Sequence, residues 1–228
     1  MATSGTTTFD LDIDDIIEEA YERVGVRTNS GKDLKSARRS LNIMFSEWGN
    51  RGVHLWKVEL KEQLLTQGTA TYTAPTNAND VLEAYVSTTT GTTSSTNDVS
   101  LTKISRSEYS ALPNKGSQGQ PSQYYVDRQT IPTITLYQTP DASTYTYLKY
   151  YYLKRIEDVG AYTNQADVVF RFIPCMVSGL AYYLSMKKNP QLVQQNKLLY
   201  EDELQRALTE DGQRTSVYIT PQSYFPQG

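Results

Sequence analysis

The sequence predicts an α+β fold in which an N-terminal and a C-terminal helix pair form one helical bundle, with an antiparallel β-domain inserted between them. Apolar residues recur every three or four positions near both ends of the chain, which indicates helices, and they alternate in the middle, which indicates strands. Hydrophobic residues make up 38% of the 228 residues, enough for a modest core. We expect the bundle to comprise 10–53 and 158–212, the β-domain 54–157, and an extended C-terminal tail 213–228.

The first helix is predicted from a single apolar stripe near the N-terminus. Its members are Ile13, Ile16, Ile17, Ala20, Tyr21 and Val24. Asp10 or Asp12 can cap the start of this helix, because a short carboxylate accepts hydrogen bonds from free backbone N–H groups. Gly25 suits the left-handed position that ends a helix.

The second helix follows after a short link, so the two helices are expected to pack as an antiparallel hairpin. Its stripe consists of Leu34, Ala37, Leu41, Met44, Phe45 and Trp48. Arg38 and Arg39 lie beside that stripe, and Gly49 and Gly52 are predicted to end the helix.

The middle of the chain is predicted to form several short antiparallel strands. Strand-type alternation begins at His54, and the further strand candidates are 68–75, 81–89, 123–128, 133–138 and 144–156. Ser105 and Glu108 have the spacing of a capping box, which predicts a short helix over 105–112. The segments 87–97 and 115–121 are predicted loops because they are rich in Thr, Ser, Gly and Gln.

Helical spacing returns near the C-terminus. One stripe consists of Val169, Phe170, Ile173, Val177, Leu180, Ala181 and Leu184. Pro174 is expected to bend this helix or to start it afresh, because proline lacks an N–H group and clashes with the preceding turn. A last helix is indicated by Leu192, Leu199, Leu204 and Leu208. The polar segment 213–228 is expected to become ordered only against a partner.

The composition argues against several classes of function. The chain has one histidine, His54, and one cysteine, Cys175, so Ser–His or Cys–His catalysis and Cys–His zinc sites have little to draw on. Phosphate-binding glycine motifs are absent, and no spacing marks a carboxylate pair for sugar cleavage. The net charge of −3 argues against a nucleic-acid clamp. We expect no catalytic, metal or cofactor site, and no stretch approaches the roughly 18 apolar residues of a membrane span.

Tyrosine is unusually frequent, with 18 Tyr against 5 Phe and 2 Trp. Tyrosine offers a large contact area and one polar end, so it suits surfaces that are wet in a free subunit and buried in an assembly. It also simply favours β-strands. The sequence leaves both interpretations open.

Several phrases, in this order, resemble the head-to-tail adaptors of podoviruses, called tail tubular protein A, head completion protein or tail accessory factor. The phrases are Ala20-Tyr-Glu-Arg-Val-Gly25, Ala37-Arg-Arg-Ser-Leu-Asn-Ile-Met44, Ser107-Glu-Tyr-Ser-Ala-Leu-Pro-Asn-Lys115, Gly119-Gln-Pro-Ser-Gln-Tyr-Tyr-Val-Asp-Arg128, Leu136-Tyr-Gln-Thr-Pro-Asp141 and Lys187-Lys-Asn-Pro190. The resemblance covers nearly the whole chain, and the order of the parts is more specific than any one of them.

The resemblance implies a structural subunit of the virion tail or neck, assembled in the cytoplasm of the bacterial host. Such adaptors form a homo-oligomeric, dodecameric ring below the portal protein, and DNA passes through the ring during ejection without specific binding. The helical lobe would build the ring wall, while the β-lobe would face the tail nozzle protein and the tail fibres. The alternatives are a glycan- or receptor-binding tail module and a cell-wall hydrolase.

The resemblance also suggests three sets of contact residues. The first would dock the C-terminal tail on the portal: Tyr218, Ile219, Tyr224 and Phe225. The second would make ring contacts or core contacts in the helices: Arg38, Arg39, Trp48 and Trp56. The third would face the tail and fibres from the β-lobe: Tyr124, Tyr125, Tyr147 and Tyr151.

Overall fold

The computed structural model describes residues 5, 9, 11–27, 31–51, 55–91, 97–161 and 163–211. The predicted C-terminal tail, with Tyr218, Ile219, Tyr224 and Phe225, lies outside the described residues. Asp10, Gly52 and His54 lie outside them as well.

The described residues form an α+β structure, as the sequence predicts. The α-helices are α1 (Ile13–Val24), α2 (Gly31–Asn50), α3 (Arg106–Ala111), α4 (Ile173–Lys188) and α5 (Val193–Asp211). Single turns of 3₁₀-helix occupy Leu55–Lys57, Phe170–Phe172 and Pro190–Leu192. The strands are β1 (Val58–Leu64), β2 (Thr71–Thr73), β3 (Ala78–Ser87), β4 (Asp98–Ser100), β5 (Thr102–Ile104), β6 (Gln118–Gly119), β7 (Gln123–Asp127), β8 (Thr133–Tyr137), β9 (Thr139–Pro140) and β10 (Tyr147–Lys154).

Helix α1 matches its predicted stripe, because all six apolar residues of that stripe are buried. Asp12 is the N-cap, and its N–H donates to the Asp15 carboxylate over 3.4 Å. Gly25 ends the helix with φ 72°, a left-handed conformation that glycine adopts at little cost.

Helix α2 buries its predicted stripe, except that Leu34 is only partly buried. The helix continues through Gly49 to Asn50 and does not stop at the glycine, because the buried side chain of Trp48 anchors its last turn. Helices α1 and α2 make few contacts with each other, and each packs mainly on α4, so the expected hairpin is a minor contact. The reason is that buried residues lie on all sides of α4.

The C-terminal helices differ from the prediction in two respects. A 3₁₀ turn ends at Phe172 and Pro174 is the second residue of α4, so the proline starts the helix afresh. Phe170, predicted in the stripe, is 68% exposed on that turn. In α5 the residues facing the bundle are Asn196, Tyr200, Leu204 and Ala207. Leu199 is exposed because the next residue, Tyr200, takes the inward position.

The β-lobe, which we define as β1–β10 with α3, contains two four-stranded sheets. The first sheet has the order β1-β10-β3-β4 and is antiparallel throughout. The second has the order β2-β8-β7-β5, and its β5–β7 pair is parallel. A further parallel pair joins β6 to β9. Parallel neighbours need a crossover, and α3 lies in the connection between β5 and β7.

Buried side chains form two separate clusters. The first belongs to the helical lobe, which we define as α1, α2, α4 and α5, and it also includes Val159. The second lies in the β-lobe and draws on the inner faces of both four-stranded sheets, with Leu148 and Tyr150 from one and Tyr124 and Ile134 from the other. The exact domain limits given above stay a prediction.

Candidate docking surfaces

The described residues offer little material for catalysis. They contain no group of three or more His, Cys, Asp or Glu side chains that could hold a metal ion. Cys175 is buried in the helical core, and burial raises the pKa of its thiol well above the usual range, so the reactive thiolate is disfavoured. Among the described helices, none combines the length and the apolar character that crossing a membrane requires.

The first sheet has an outer face that is rich in aliphatic and aromatic side chains. Strand β10 turns Leu148 and Tyr150 inward and Tyr147 and Tyr151 outward, because successive side chains of a strand point to opposite faces. The register places Leu60 of β1 opposite Tyr151, and Leu64 opposite Tyr147. Leu60, Leu64 and Tyr151 are 36%, 59% and 37% exposed.

Tyr85 of β3 extends this surface. Its ring meets that of Tyr151 edge-on, with centroids 6.4 Å apart. Its hydroxyl donates to the Glu83 carboxylate over 2.7 Å, and this hydrogen bond, followed by burial, raises the pKa of Tyr85. We call the set the aromatic-aliphatic face. It consists of Leu60, Leu64, Tyr85, Tyr147 and Tyr151.

Lys149, between the two outward tyrosines of β10, does not add a free charge to this face. It is buried, and its Nζ donates to the carbonyl of Gly91 over 2.5 Å and to Asp98 over 3.2 Å, with Glu62 at 3.8 Å. Two carboxylates therefore neutralise the ammonium group, and the contacts hold the chain after β3 against the sheet. The face also carries one exposed carboxylate, Glu83, which lies opposite Tyr151 in the register and accepts the Tyr85 hydrogen bond.

The four predicted surface tyrosines fall into three environments. Tyr147 and Tyr151 share the aromatic-aliphatic face. Tyr124 is 1% exposed, and its hydroxyl donates to the Leu82 carbonyl over 3.0 Å, so it belongs to the core of the free subunit. Burial, with a smaller contribution from nearby carboxylates, raises the pKa of Tyr124 to about 12.

Tyr125 lies on the opposite side of its strand from Tyr124, on the outer face of the second sheet. It stacks on Tyr109 of α3, with ring centroids 5.7 Å apart, and the Lys115 ammonium lies 5.5 Å from the Tyr109 ring. The sequence indicates that Tyr124 and Tyr125 lie on different faces of the strand. Tyr124 and Val126 are two residues apart, so both point to the inner face, and Tyr125 points to the outer one.

Trp48 and Trp56 both lie in or against the core of the helical lobe. The Trp48 indole donates to the Tyr200 hydroxyl over 2.8 Å, which ties α2 to α5. Trp56 packs against Phe172 with ring centroids 4.7 Å apart. Of the two roles that the sequence leaves open for these tryptophans, the free subunit shows core packing.

A polar network that the sequence analysis missed surrounds Trp48. Tyr183 of α4 donates to Glu47 over 2.8 Å, and Arg51 donates to both oxygens of Glu201 over 2.6 and 2.8 Å. The network fixes α2, α4 and α5 relative to one another. Its only signal in the sequence is the four-residue spacing of Glu47 and Arg51, which is common on solvated helices.

Arg38 and Arg39 are adjacent in sequence but differ in their surroundings. Arg38 is partly buried and donates to the carbonyl of Val159 over 3.2 Å and to that of Gly160. It therefore holds the segment after β10 against α2. Arg39 is exposed, about 100° further round the same helix.

The comparisons with known proteins give a family for the chain. The sequence model of the SU10 adaptor protein family matches residues 5–223. A comparison with curated proteins found no match. Because the matched range spans nearly all of the 228 residues, the chain belongs to the SU10 adaptor protein family and is a structural adaptor of a phage particle.

Proposed function

We propose that this adaptor is the head-to-tail connector of a short-tailed phage of the podovirus type. Copies of the chain form a closed, dodecameric ring between the portal protein and the tail nozzle protein, and DNA passes through the ring during ejection. The observation that carries the proposal is the adaptor-family match over 5–223. The resemblance to podovirus adaptors, stated above, supplies the place in the particle and the copy number.

The aromatic-aliphatic face supports a docking role for the β-lobe. Interface cores are enriched in aromatic side chains and depleted of charge. The tyrosines and leucines of this face fit that pattern, while Glu83, opposite Tyr151, adds one exposed carboxylate. Leu64 is the most exposed member at 59%. A free subunit gains nothing from placing such a leucine in water, whereas burial against a partner is favourable by about 25 cal/mol per Å² of apolar surface. We assign this face to the tail nozzle or the fibres.

The helical lobe supplies the ring wall in this proposal. The network of Glu47, Arg51, Tyr183 and Glu201 around Trp48 holds α2, α4 and α5 together, which suits a wall that must withstand the passage of DNA. The net charge of −3 favours a channel that does not retain DNA. The assignment of the C-terminal tail to the portal follows the resemblance to podovirus adaptors, and the polar composition of 213–228 suits a segment that becomes ordered against a partner.

The test mixes the purified chain with isolated portal and measures the mass of the products by native mass spectrometry. We expect a complex that holds several copies of the chain in a closed ring on each portal. A chain that stays monomeric and does not bind the portal contradicts the proposal.

A variant separates the docking role from ring formation. Leu64→Asp with Tyr151→Asp should leave ring assembly on the portal intact and abolish binding of the nozzle protein. The matched control is Thr71→Asp, an exposed position on the outer face of the second sheet. If particles that carry the double variant are complete but do not adsorb to cells, the face is a receptor- or glycan-binding site.

A further inference from the structure

Helix α1 carries an acidic stripe, of which only Asp15 has been described so far, as the acceptor for the Asp12 N–H. Asp15, Glu18 and Glu22 are exposed on the side opposite the buried stripe of this helix. Their three- and four-residue spacing places them on one side of the helix. In the part of the chain that the structure describes, no Lys or Arg forms an ion pair with Glu18 or Glu22.

Helix α2 carries a basic stripe on its own exposed side. Lys32, Lys35 and Arg39 are exposed opposite the buried stripe of α2, and Ile43, one turn further on, is 51% exposed. Among the described residues, no carboxylate lies within ion-pair distance of the three cations.

A fourth cation adds to the positive charge of the basic stripe. Lys187, from the end of α4, hydrogen-bonds to the hydroxyls of Ser36 and Ser40 over 3.0 and 2.7 Å. Burial, and then the charge of Arg39, lowers the pKa of Lys187. The positive charges therefore repel one another in the free subunit.

The two stripes match in length. Asp15 and Glu22 are seven positions apart, as are Lys32 and Arg39, and this separation is about 10.5 Å along a helix. Helices α1 and α2 both pack on α4 and touch each other little, so the sides that they turn away from α4 point in different directions. The stripes of one subunit therefore do not meet, whereas those of two neighbouring copies can.

Apolar contacts complement the charges. A groove runs along α1 and the start of α4, lined by the acidic stripe and by the Glu19–Arg23 ion pair. Its apolar wall consists of Ile173, Pro174 and Val177, of which Pro174 is exposed. Ile43 is the exposed apolar residue that follows the basic stripe and can enter such a groove in a neighbouring copy. A basic helix with an apolar side chain thus matches an acidic groove with an apolar wall.

We propose that the acidic stripe of α1 in one copy binds the basic stripe of α2 in the next copy. This inference rests on the proposed ring and names the contact that closes it. Because two different surfaces meet, the contact is head-to-tail, and repetition of such a contact with a suitable rotation gives a ring. The exposed carboxylates of α1 are thus an assembly surface.

The test uses two charge-reversal variants. One carries Glu18→Lys and Glu22→Lys, and the other carries Lys35→Glu and Arg39→Glu. Each variant alone should assemble roughly 100-fold more weakly than the wild type, because reversal replaces attraction across the contact with repulsion. A 1:1 mixture of the two should restore assembly, since each reversed stripe then meets a reversed partner, and the ring alternates the two chains.

The control and the salt dependence sharpen the test. Lys61→Glu with Arg106→Glu changes the charge by the same amount on exposed positions of the β-lobe and should assemble like the wild type. Assembly of the wild type should weaken between 0.1 and 1 M NaCl, where the screening length falls from about 10 to about 3 Å. If a reversed variant does not fold, as judged by circular dichroism, Glu18→Gln with Glu22→Gln replaces it, with an expected loss of about tenfold.

The outcomes separate this inference from the proposed function. If the folded reversed variants assemble on the portal like the wild type, the subunits meet elsewhere and the ring proposal stands. If the wild type does not assemble alone or with portal, both proposals fail. If Lys35→Glu with Arg39→Glu keeps full assembly and only lowers the affinity for DNA, the basic stripe faces the channel and the proposed contact is wrong.

Discussion

Gly179 of α4 lies where three helices come together, and we expect its replacement by alanine to destabilise the helical lobe. A Cβ atom at this position would lie 2.8 and 3.0 Å from two ring carbons of Tyr200, and closer still to the Met44 sulfur. The methionine side chain is flexible and can move away. The Tyr200 ring is fixed, because it is buried and its hydroxyl accepts the hydrogen bond from Trp48.

The expected magnitude is the balance of two effects. Overpacking at contacts this short costs about 2–3 kcal/mol. Alanine is favoured over glycine in a helix interior by about 1 kcal/mol. The net loss for Gly179→Ala should therefore be about 1–2 kcal/mol. Gly49→Ala in α2 is the matched control, because no atom lies within 4 Å of its Cβ position, and it should gain up to about 1 kcal/mol.

The assay is urea unfolding followed by tryptophan fluorescence. Trp48 and Trp56, the two tryptophans of the chain, both lie in or against the helical core, so the signal reports on that lobe. The difference in unfolding free energy between the two alanine variants isolates overpacking, at about 2–3 kcal/mol. If Gly179→Ala is as stable as Gly49→Ala, the close packing of α4 against Tyr200 is refuted.

Three further predictions concern the stability of the subunit, measured by chemical denaturation. Arg38→Ala should cost about 1–2 kcal/mol of unfolding free energy, because it removes charged hydrogen bonds to two backbone carbonyls. Arg39→Ala should change the unfolding free energy by less than about 0.5 kcal/mol, because Arg39 is exposed. Equal effects of the two substitutions would contradict the different surroundings of Arg38 and Arg39. The Arg51 guanidinium lowers the pKa of the Glu201 carboxyl, so this ion pair stabilises the fold above the ordinary glutamate pKa and loses its effect as the pH falls through the lowered value. Glu201→Gln should therefore cost about 0.5–1 kcal/mol at pH 7 and progressively less as the pH falls through the lowered pKa, and a cost independent of pH would count against the pair. Tyr124→Phe should cost about 1 kcal/mol through the lost hydrogen bond to a backbone carbonyl, and a neutral result in urea unfolding monitored by circular dichroism would argue that the hydroxyl is not buried.

Helices α1 and α5 show which buried residues can be predicted from the sequence alone. Helix α1 has a single apolar stripe and one packing partner of importance, so the helical period identifies its buried side residue by residue. The helical period does not identify the buried side of α5. Its buried residues include Asn196 and Tyr200, whereas Leu198 and Leu199 are exposed. The Tyr200 hydroxyl is satisfied by Trp48, a residue from a different helix, and periodicity carries no information on such a partner.

The sequence likewise predicted some of the strands and missed others. The longer strands follow their predicted positions, although β1 begins at Val58, after a 3₁₀ turn, and not at His54. Of the two- and three-residue strands, β2 lies within the predicted candidate 68–75. The strands β4, β5, β6 and β9 were not predicted, because they exist only through pairing with other segments. Gln118 in a predicted loop, for example, pairs with Thr139. Composition identifies a loop and says nothing about the sheet edge that it meets.

The predicted docking residues follow partly from the sequence and partly from the pairing of the strands. Period-two alternation is enough to place Tyr147 and Tyr151 on one side of β10. It also places Tyr124 and Tyr125 on opposite faces of β7, but it does not state which of those faces the other sheet covers. Leu60 and Leu64 join the face only through the register of β1 with β10, which the sequence does not specify.

The most direct test of the central claim is a cryo-electron microscopy reconstruction of the neck of the phage particle that contains this chain. We expect a closed, dodecameric ring of the chain between portal and tail nozzle, with the aromatic-aliphatic face against tail components and α1 of each copy against α2 of the next. A neck without the chain, or isolated copies of it on the fibres, would contradict the account.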